Sequence, residues 1–225
     1  MERRGLLLAI ASVATADQAA AQQESIITLG NAPPGQLPAG FGTARTGKGA
    51  PAAWSVVEDS SVPLGKVLAQ TSTDQTDYRF PLAIYDGITA KDIEVSVRFK
   101  AVGGRIDRAG GIAVRLADPD NYYVLRANAL EDNVNFYHVV RGSRRQISGA
   151  SVKVPSDQWQ TLTLRAVGDQ FTITFNDRTL FTATDRTFAN AGKVGLWTKA
   201  DRVAAVTLSA EPRAIRSGRA SFICL

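Results

Sequence analysis

The sequence predicts an all-β fold, an antiparallel β-sandwich, on three observations. Apolar and polar residues alternate with a period of two, most cleanly over residues 92–100, where Ile93, Val95, Val97 and Phe99 share one side. This is the period of a half-buried strand. About ten short runs of this kind follow one another between regular turns. No run has a helical period, and many short strands without helices are typical of a sandwich.

The first 21 residues predict a signal peptide. Arg3 and Arg4 form a basic start, residues 5–14 are apolar, and Ala19-Ala20-Ala21 offers a cleavage site of the A-x-A type. A buried first helix is the alternative, but so short a run without a polar face disfavours it. We therefore expect a periplasmic or secreted protein. No later segment is long and apolar enough to be predicted as a membrane span.

Three further segments are expected after the signal peptide. Residues 22–53, rich in Gly, Pro and Ala, predict a linker or a segment strapped over the sandwich. Residues 54–208 predict one β-sandwich domain, with 203–208 as an edge strand, and residues 209–225 lack a period and predict a frayed tail. The other expected strands are 54–57, 67–70, 78–84, 92–100, 112–117, 122–128, 133–140, 159–166, 171–175, 180–184 and 194–199.

The composition excludes several classes of function. Much of the net charge of +5 comes from arginines after residue 201. No basic stripe remains elsewhere, so nucleic acid is not a predicted partner. The only cysteine, Cys224, excludes an intrachain disulfide. The only histidine, His138, excludes a multi-histidine metal centre and disfavours a serine triad. The sequence therefore predicts neither a metal site nor a cofactor.

The centre of the predicted domain is a group of three strands joined by two four-residue turns. The turns are Asp118-Pro119-Asp120-Asn121 and Ala129-Leu130-Glu131-Asp132. If these turns set the register, Arg126 lies between Ala113 on one neighbouring strand and Asn135 on the other. One face of the three strands then forms a core of Ile112, Val114, Leu116, Tyr123, Leu125, Ala127, Val134 and Phe136.

The opposite face of these strands is the candidate ligand site. Guanidinium forks and planar amides read sugar hydroxyls, and the apolar face of a sugar packs on aromatic rings. Trp197 and Lys199, which alternate away from Leu196, would add an aromatic platform and a cation. The alternative is that the arginines pair with Asp92 and Glu94 on the outer sheet. The predicted face comprises Arg115, Tyr122, Arg126, Asn128, Asn133, Asn135 and Tyr137.

Catalysis, if present, would depend on carboxylates, because the chain has one histidine. Glu131 is the strongest candidate, since it lies at the tip of the second turn beside the polar face. A solvated turn carboxylate is the alternative interpretation of Glu131. The register places His138 beside Tyr123 on the core-facing side, where a satisfied or rim histidine is expected.

Several stretches together resemble a known family, the 3-keto-disaccharide hydrolase domains of the concanavalin A-like lectin/glucanase superfamily. The resemblance covers roughly residues 40–206 and depends on NYY at 121–123, R-x-N-x-L-E-x-N at 126–133 and GLWTKAD at 195–201. It implies a jelly-roll of two curved sheets, export and a carbohydrate ligand. For some relatives it also implies hydrolysis of glycosides that carry a 3-keto sugar. The motif positions are Arg126, Asn128, Glu131, Asn133, Trp197, Lys199 and Asp201.

The chain departs from the superfamily in two places. The E-x-D-x-E strand of the retaining glucanases is replaced by Asp92-Ile93-Glu94-Val95-Ser96, which does not support a paired-carboxylate mechanism. After Asp201 the chain continues into an arginine-rich tail instead of an acidic, aromatic closing strand.

Three functions follow from these observations. The first is an exported carbohydrate-binding sandwich without robust catalysis. The second is a glycoside hydrolase acting on 3-keto-sugar glycosides, with Glu131 or Asp201 as the acid–base. The third is a protein-interaction module of the laminin-G type, which needs no polar pocket.

The export signal predicts that the mature chain begins near Gln22. Mass spectrometry of the protein from its native source should find this processed terminus. An intact Met1 in the mature fraction would contradict the prediction.

Overall fold

The structure is a computed structural model that describes residues 25–27, 29, 31–103 and 107–199, and the backbone of 203–212. The predicted signal peptide, Asp201, Cys224 and the tail beyond Pro212 lie outside the described residues. The described part of the chain contains fifteen strands and no helix, and hence no helix that could span a bilayer.

The strands follow one another through the whole described region, joined by short turns and loops. In order they are β1 Ser25–Ile27, β2 Phe41–Gly47, β3 Trp54–Glu58, β4 Lys66–Gln70, β5 Arg79–Ala90, β6 Ile93–Lys100, β7 Ala109–Asp118, β8 Asn121–Asn128, β9 Asn133–Val140, β10 Ser143–Ser151, β11 Gln160–Val167, β12 Gln170–Phe175, β13 Arg178–Thr184, β14 Gly192–Lys199 and β15 Val203–Pro212.

Two antiparallel sheets form the sandwich, which confirms the predicted fold class. The eight-stranded sheet has the order β13-β12-β11-β6-β15-β4-β3, with β1 paired to β15. The seven-stranded sheet has the order β10-β9-β8-β7-β14-β5-β2. Strands that are far apart in the sequence therefore become neighbours. The candidate residues on β8 and β14 are separated by a single strand, β7.

The main core lies between the two sheets. The seven-stranded sheet contributes Ile112, Tyr123, Leu125 and Phe136, as the alternation predicts, and the eight-stranded sheet contributes Val95, Val97, Leu162, Leu164 and Ile173. The rings of Tyr123 and Phe136 each pack against Phe171, with centroids 4.8 and 4.7 Å apart. Alternation along each strand therefore directs one set of side chains into a shared apolar layer.

The outer face of the seven-stranded sheet is also buried, and this is unusual for a sandwich without a third layer. A second apolar cluster covers it across five of the seven strands. Its members are Phe80, Leu82, Ala109, Ala113, Leu116, Tyr122, Val124, Tyr137, Val139 and Trp197.

The observed strands differ from the predicted ones at three places. The predicted linker 22–53 contains β1 and the edge strand β2, so the sandwich begins before Trp54. The pattern also misses β10, whose residues are all exposed or half-buried and carry no apolar alternation. The predicted edge strand 203–208 extends to Pro212 and lies inside its sheet, between β6 and β4.

The register of the central hairpins is partly as predicted. In the second hairpin Arg126 faces Asn135, which confirms the prediction. In the first hairpin Arg126 faces Gly111, not Ala113, because a β-bulge lies between Val114 and Asp118. Three residues of β7 oppose Tyr122 alone, so the register inferred from the turn does not persist along the strand.

Truncating Leu125 tests the assignment of the inward face. Leu125 is fully buried between the sheets, so Leu125→Ala should lower the free energy of unfolding by about 2–5 kcal/mol. Leu130→Ala is the matched control, because Leu130 is 48% exposed and its truncation should stay within about 0.5 kcal/mol. Equal losses for the two variants in chemical denaturation would contradict the assigned core.

Candidate functional site

The outer face of the seven-stranded sheet is concave. Arg144 on β10 lies with its guanidinium carbon 4.8 Å from the ring centre of Phe80 on β5. Four strands separate β10 from β5, which in a flat sheet would place them about 24 Å apart. Two side chains cannot span that distance, so the sheet curls until residues near its two edges meet over its outer face.

The other edge of the sheet closes on the same side. Thr46 on β2 donates a hydrogen bond to the carbonyl oxygen of Pro119, in the turn between β7 and β8. Its hydroxyl also lies 2.8 Å from the hydroxyl of Tyr122. The concave face is therefore enclosed by its own strands, which explains why its residues are buried without a covering layer.

Four aromatic rings form what we call the aromatic floor of this face: Phe80, Tyr122, Tyr137 and Trp197. Phe80 and Trp197 are stacked with their centroids 5.2 Å apart. The indole N–H of Trp197 donates to the hydroxyl of Tyr122 over 3.2 Å. Burial raises the pKa of Tyr122 to about 12, so this hydroxyl stays protonated at neutral pH.

Arg144 lies over three of these rings. Its guanidinium carbon is 4.6 Å from the ring centre of Tyr137 and 5.6 Å from that of Trp197, besides its contact with Phe80. These are cation–π distances. Burial lowers the pKa of Arg144, but arginine retains its charge in proteins.

A group of charged and amide side chains, which we call the polar rim, borders the aromatic floor: Asp77, Asp107, Arg126, Glu131, Asn133 and Lys199. Arg126 is its hub. Its Nη2 donates to Glu131 Oε2 over 2.6 Å and to Asn133 Oδ1 over 3.1 Å. Lys199 Nζ lies 2.9 Å from Asp107 Oδ2 and 3.7 Å from Asp77 Oδ1.

The charge state of Glu131 is set by its neighbours. Partial burial raises its pKa, but hydrogen bonds from Arg126 and Asn133 outweigh burial, so the pKa lies below its ordinary value. Glu131 is therefore a permanent carboxylate at neutral pH. Such a group has no proton to give as a general acid and is a weak base.

Asn128 and Asn135 lie on the predicted face, but neither is an open surface group. Asn128 is fully buried, and its Oδ1 accepts a hydrogen bond from the backbone N–H of Leu130, which caps the second turn. Asn135 donates to the hydroxyl of Tyr137 over 3.1 Å. A Cβ at Gly149 on β10 would lie 2.0 Å from Asn135 Oδ1, so glycine at this position makes room for the amide.

Arg115 does not share the face with Arg126, and the prediction that placed it there is wrong. The bulge in β7 puts Arg115 in the left-handed region, with φ at +48°, and turns Leu116 onto the outer face. The guanidinium of Arg115 instead donates to the carbonyl oxygens of Lys91, Phe188 and Gly168, and Nη2 lies 3.8 Å from Asp92. The predicted pairing of an arginine with Asp92 therefore holds for Arg115.

Three other predicted site residues lie on the concave face but are less accessible than expected. Arg126 is 2% exposed and folds onto Glu131, where an outward-reaching fork was predicted. Trp197 is 1% exposed, so its ring is part of the floor and not a surface platform. Lys199 is occupied by Asp107. The side chain of Glu131 remains 48% exposed, and Asn133 is half-buried.

The remaining candidate groups lie elsewhere. Glu94 pairs with Arg165 at 3.8 Å, on the eight-stranded sheet. His138 lies opposite Tyr123 as predicted, and its Nδ1 is 3.1 Å from the hydroxyl of Thr187 and 3.5 Å from Asp185 Oδ2. It is therefore a partnered histidine. Within the described residues, no group of three or more metal-ligating side chains comes together.

Sequence reasoning missed five residues of the site: Asp77, Tyr78, Phe80, Asp107 and Arg144. Arg144 lies on β10, the strand without an apolar pattern. Asp107 lies two residues before β7 and outside every predicted strand. Tyr78 is 58% exposed beside Asp77, and its ring lies 5.8 Å from that of Phe80. Its position as an aromatic residue at the start of the predicted strand 78–84 was the only available signal for Tyr78.

Buried polar atoms without hydrogen-bond partners concentrate at this face. Of six such side-chain atoms in the part of the chain that the structure describes, four belong to the site: Asp107 Oδ2, Arg126 Nε, Asn128 Nδ2 and Arg144 Nη1. Asp107 Oδ2 still has the charge of Lys199 beside it. Native proteins leave few buried polar atoms unpaired, so a cluster of them indicates a place where water or a ligand binds.

The fold and the curved outer sheet define a jelly-roll sandwich of the concanavalin A-like type, and comparisons with solved structures agree. The carbohydrate-binding module CBM66 from Bacillus subtilis matches with a TM-score of 0.62 and 20% identity, over 76% of this chain and 95% of that one. The Bacillus licheniformis β-glucanase matches with a TM-score of 0.53 and 12% identity, over 88% of this chain and 100% of that one.

A further structure, a glycosidic hydrolase, matches with a TM-score of 0.54 and 9% identity, over 87% of this chain and 98% of that one. At these identities the matches show the fold alone. No protein-family model and no curated protein matches the sequence.

Proposed function

We propose that this chain is a carbohydrate-binding β-sandwich protein whose ligand occupies the concave face of the seven-stranded sheet. The observation that carries the proposal is the cluster of buried, unpaired polar atoms beside four aromatic rings. Hydroxyl groups of a sugar can both donate and accept, so they suit amide and guanidinium partners. Solved structures of the same fold include a carbohydrate-binding module, which supports this ligand class.

Three members of the polar rim, Asp77, Glu131 and Asn133, together with Tyr78 are the parts of the site that a sugar can reach from solvent. Glu131 and Asp77 are about half or more exposed, and Asn133 is half-buried. Tyr78 presents an exposed ring against which the apolar face of a pyranose can pack. In this proposal Tyr78 takes the role that the sequence assigned to Trp197.

Binding without catalysis is the better supported form of this function. The lowered pKa of Glu131 makes this residue unsuitable as a general acid, and its partner Arg126 holds it in an ion pair. The other carboxylate near Arg126, Asp107, is engaged by Lys199. Two-carboxylate hydrolysis needs one carboxyl group with a raised pKa, and Glu131 does not supply it.

The hydrolysis of 3-keto-sugar glycosides is the second candidate, and it depends on the family resemblance in the R-x-N-x-L-E-x-N and GLWTKAD stretches. In this candidate Glu131 or Asp201 would act as the acid–base. A laminin-G-like interaction module has less support, because a protein-docking surface has no need of buried unpaired polar atoms.

We also propose that the protein works outside the cytoplasm, in the periplasm or after secretion. The basic and apolar run with an A-x-A site at residues 1–21 supports this localisation. Extracellular polysaccharides would then be available as ligands.

Two variants test the proposed site. Tyr78→Ala should weaken binding of a sugar identified on a glycan array about twofold to tenfold, since an aromatic contact contributes about 0.5–1.5 kcal/mol. Glu131→Gln should weaken it about tenfold to a hundredfold, because it replaces a charged acceptor. Leu64→Ala is the control: Leu64 is 50% exposed in the loop between β3 and β4, on the eight-stranded sheet. Isothermal titration calorimetry gives the three affinities.

The same variants separate binding from catalysis. The wild-type protein should bind sugars without cleaving a 3-keto-glucoside. Cleavage that is lost in Glu131→Gln while binding persists would favour the hydrolase instead. Affinities that are unchanged in both site variants, or lowered equally in Leu64→Ala, would overturn the proposed site.

A further inference from the structure

Arg144 is a cation whose partners are aromatic rings alone. Its guanidinium lies within 5.6 Å of three ring centres, and its Nη1 is buried without a hydrogen-bond partner. Among the described residues, Arg144 forms no ion pair and donates no hydrogen bond. Aromatic faces attract a cation but cannot accept all of its N–H groups.

The arginines that are buried in the described part of the chain are satisfied in a different way. Arg79 donates to the carbonyl oxygens of Ala50 and Pro51, and Arg115 donates to three carbonyl oxygens. Arg126 has the carboxylate of Glu131. The fold therefore supplies oxygen acceptors wherever a guanidinium only supports structure, and Arg144 departs from this rule on the face that carries the proposed site.

No carboxylate of the polar rim forms an ion pair with Arg144. Glu131 is held by Arg126 at 2.6 Å, and Asp107 is held by Lys199 at 2.9 Å. Burial is the main cause that lowers the pKa of Arg144, and the charge of Arg126 lowers it further, whereas Tyr137, Asp107 and Tyr122 act in the opposite direction without outweighing burial. A partly buried charge of this kind is costly unless a ligand supplies the missing charge.

We propose that Arg144 receives the carboxylate of an acidic sugar, so that the ligand class is an oligosaccharide containing a uronic acid. This inference rests on the proposed carbohydrate-binding function and specifies its ligand. A carboxylate offers two coplanar oxygens, which match the planar guanidinium fork. Tyr137 and Trp197 orient that plane, and the neighbouring pyranose ring then extends toward the exposed residues of the polar rim.

The test is calorimetry with matched pairs of ligands: trigalacturonate against galactotriose, and a glucuronate disaccharide against its glucose counterpart. The wild-type protein should bind the acidic member of at least one pair tenfold or more tightly. Added salt should reduce this preference, since part of it is electrostatic. Arg144→Gln should bring the ratio of the two affinities close to one.

Arg145→Gln is the matched control. Arg145 is the next residue of the same strand, is exposed, and alternates to the other side, so the same loss of charge there should leave the ratio unchanged. Arg144→Lys, which keeps the charge and removes the fork, should retain only part of the preference. Thermal melting checks that each variant is folded.

Four outcomes would overturn the inference. Equal affinity of the wild-type protein for the acidic and neutral members of both pairs would exclude a carboxylate site, and the proposed function would survive if neutral sugars bound. A preference that persists in folded Arg144→Gln would place the anion elsewhere. Tighter binding of a sulfated trisaccharide than of trigalacturonate would assign the site to sulfate esters. Absence of binding to any sugar on the array would remove the proposed function as well.

Discussion

The guanidinium of Arg115 holds the β-bulge of β7 in place, and we infer that the curvature of the concave face depends on this interaction. The left-handed backbone at Arg115 costs about 1–3 kcal/mol. Three hydrogen bonds from its guanidinium to backbone carbonyl oxygens each contribute about 1.5–3 kcal/mol and offset that cost. A Cβ at Gly192 on β14 would lie 2.3 Å from the carbonyl carbon of Arg115, so the neighbouring strand also requires glycine here.

The bulge directs neighbouring side chains of β7 to opposite faces of the sheet. Arg115 turns toward the main core, where its guanidinium carbon lies 5.2 Å from the ring centre of Phe171. Leu116 turns outward and joins the second cluster beside Tyr122. Bulges strengthen the local twist of a sheet. We infer that this one contributes to the curl that brings β10 toward β5.

The curl explains both the burial of the site and its unpaired atoms. Side chains that reach inward from both edges exclude solvent from the floor, so Tyr122 and Trp197 are almost wholly buried. Polar groups on the same face are buried together with these rings and lose contact with water, and only some of them have a polar partner there. Arg126 forms an ion pair with Glu131, whereas Arg144 contacts aromatic rings. A binding face built in this way is preorganised, since its groups are already fixed before a ligand arrives.

Much of the fold could be predicted from the sequence because alternation reports which side of a strand is buried. The inward set with Leu125 and the second hairpin register, with Arg126 facing Asn135, follow directly from alternation and turn length. The side of the sheet on which Arg115 lies does not follow from alternation, because the bulge adds residues to one strand and nothing in the sequence indicates the bulge. The edge strands β2 and β10 do not show a clear apolar alternation, so the pattern does not predict them.

The sequence predicts which side of the sheet carries the site, but not how its side chains are arranged or how exposed they are. The pattern brings Arg126, Asn133 and Asn135 to one side of the sheet, and the structure agrees. Whether a side chain on that side is open or covered depends on the curl of the sheet, which brings together residues from β10 and β5. Contacts between strands so far apart in the sheet have no counterpart in local sequence. Arg144 and the burial of Trp197 therefore became visible only in three dimensions.

The central claim is that sugar binds on the concave face of the seven-stranded sheet. The most direct measurement is an NMR titration in which a sugar that binds the protein is added and the indole N–H signals of the three tryptophans are followed. The signal of Trp197 should shift, because its indole lies in the aromatic floor. The signal of Trp159, whose indole N–H donates to Ser61 in the loop between β3 and β4, should stay in place. A shift of Trp159 with an unchanged Trp197 would contradict the claim.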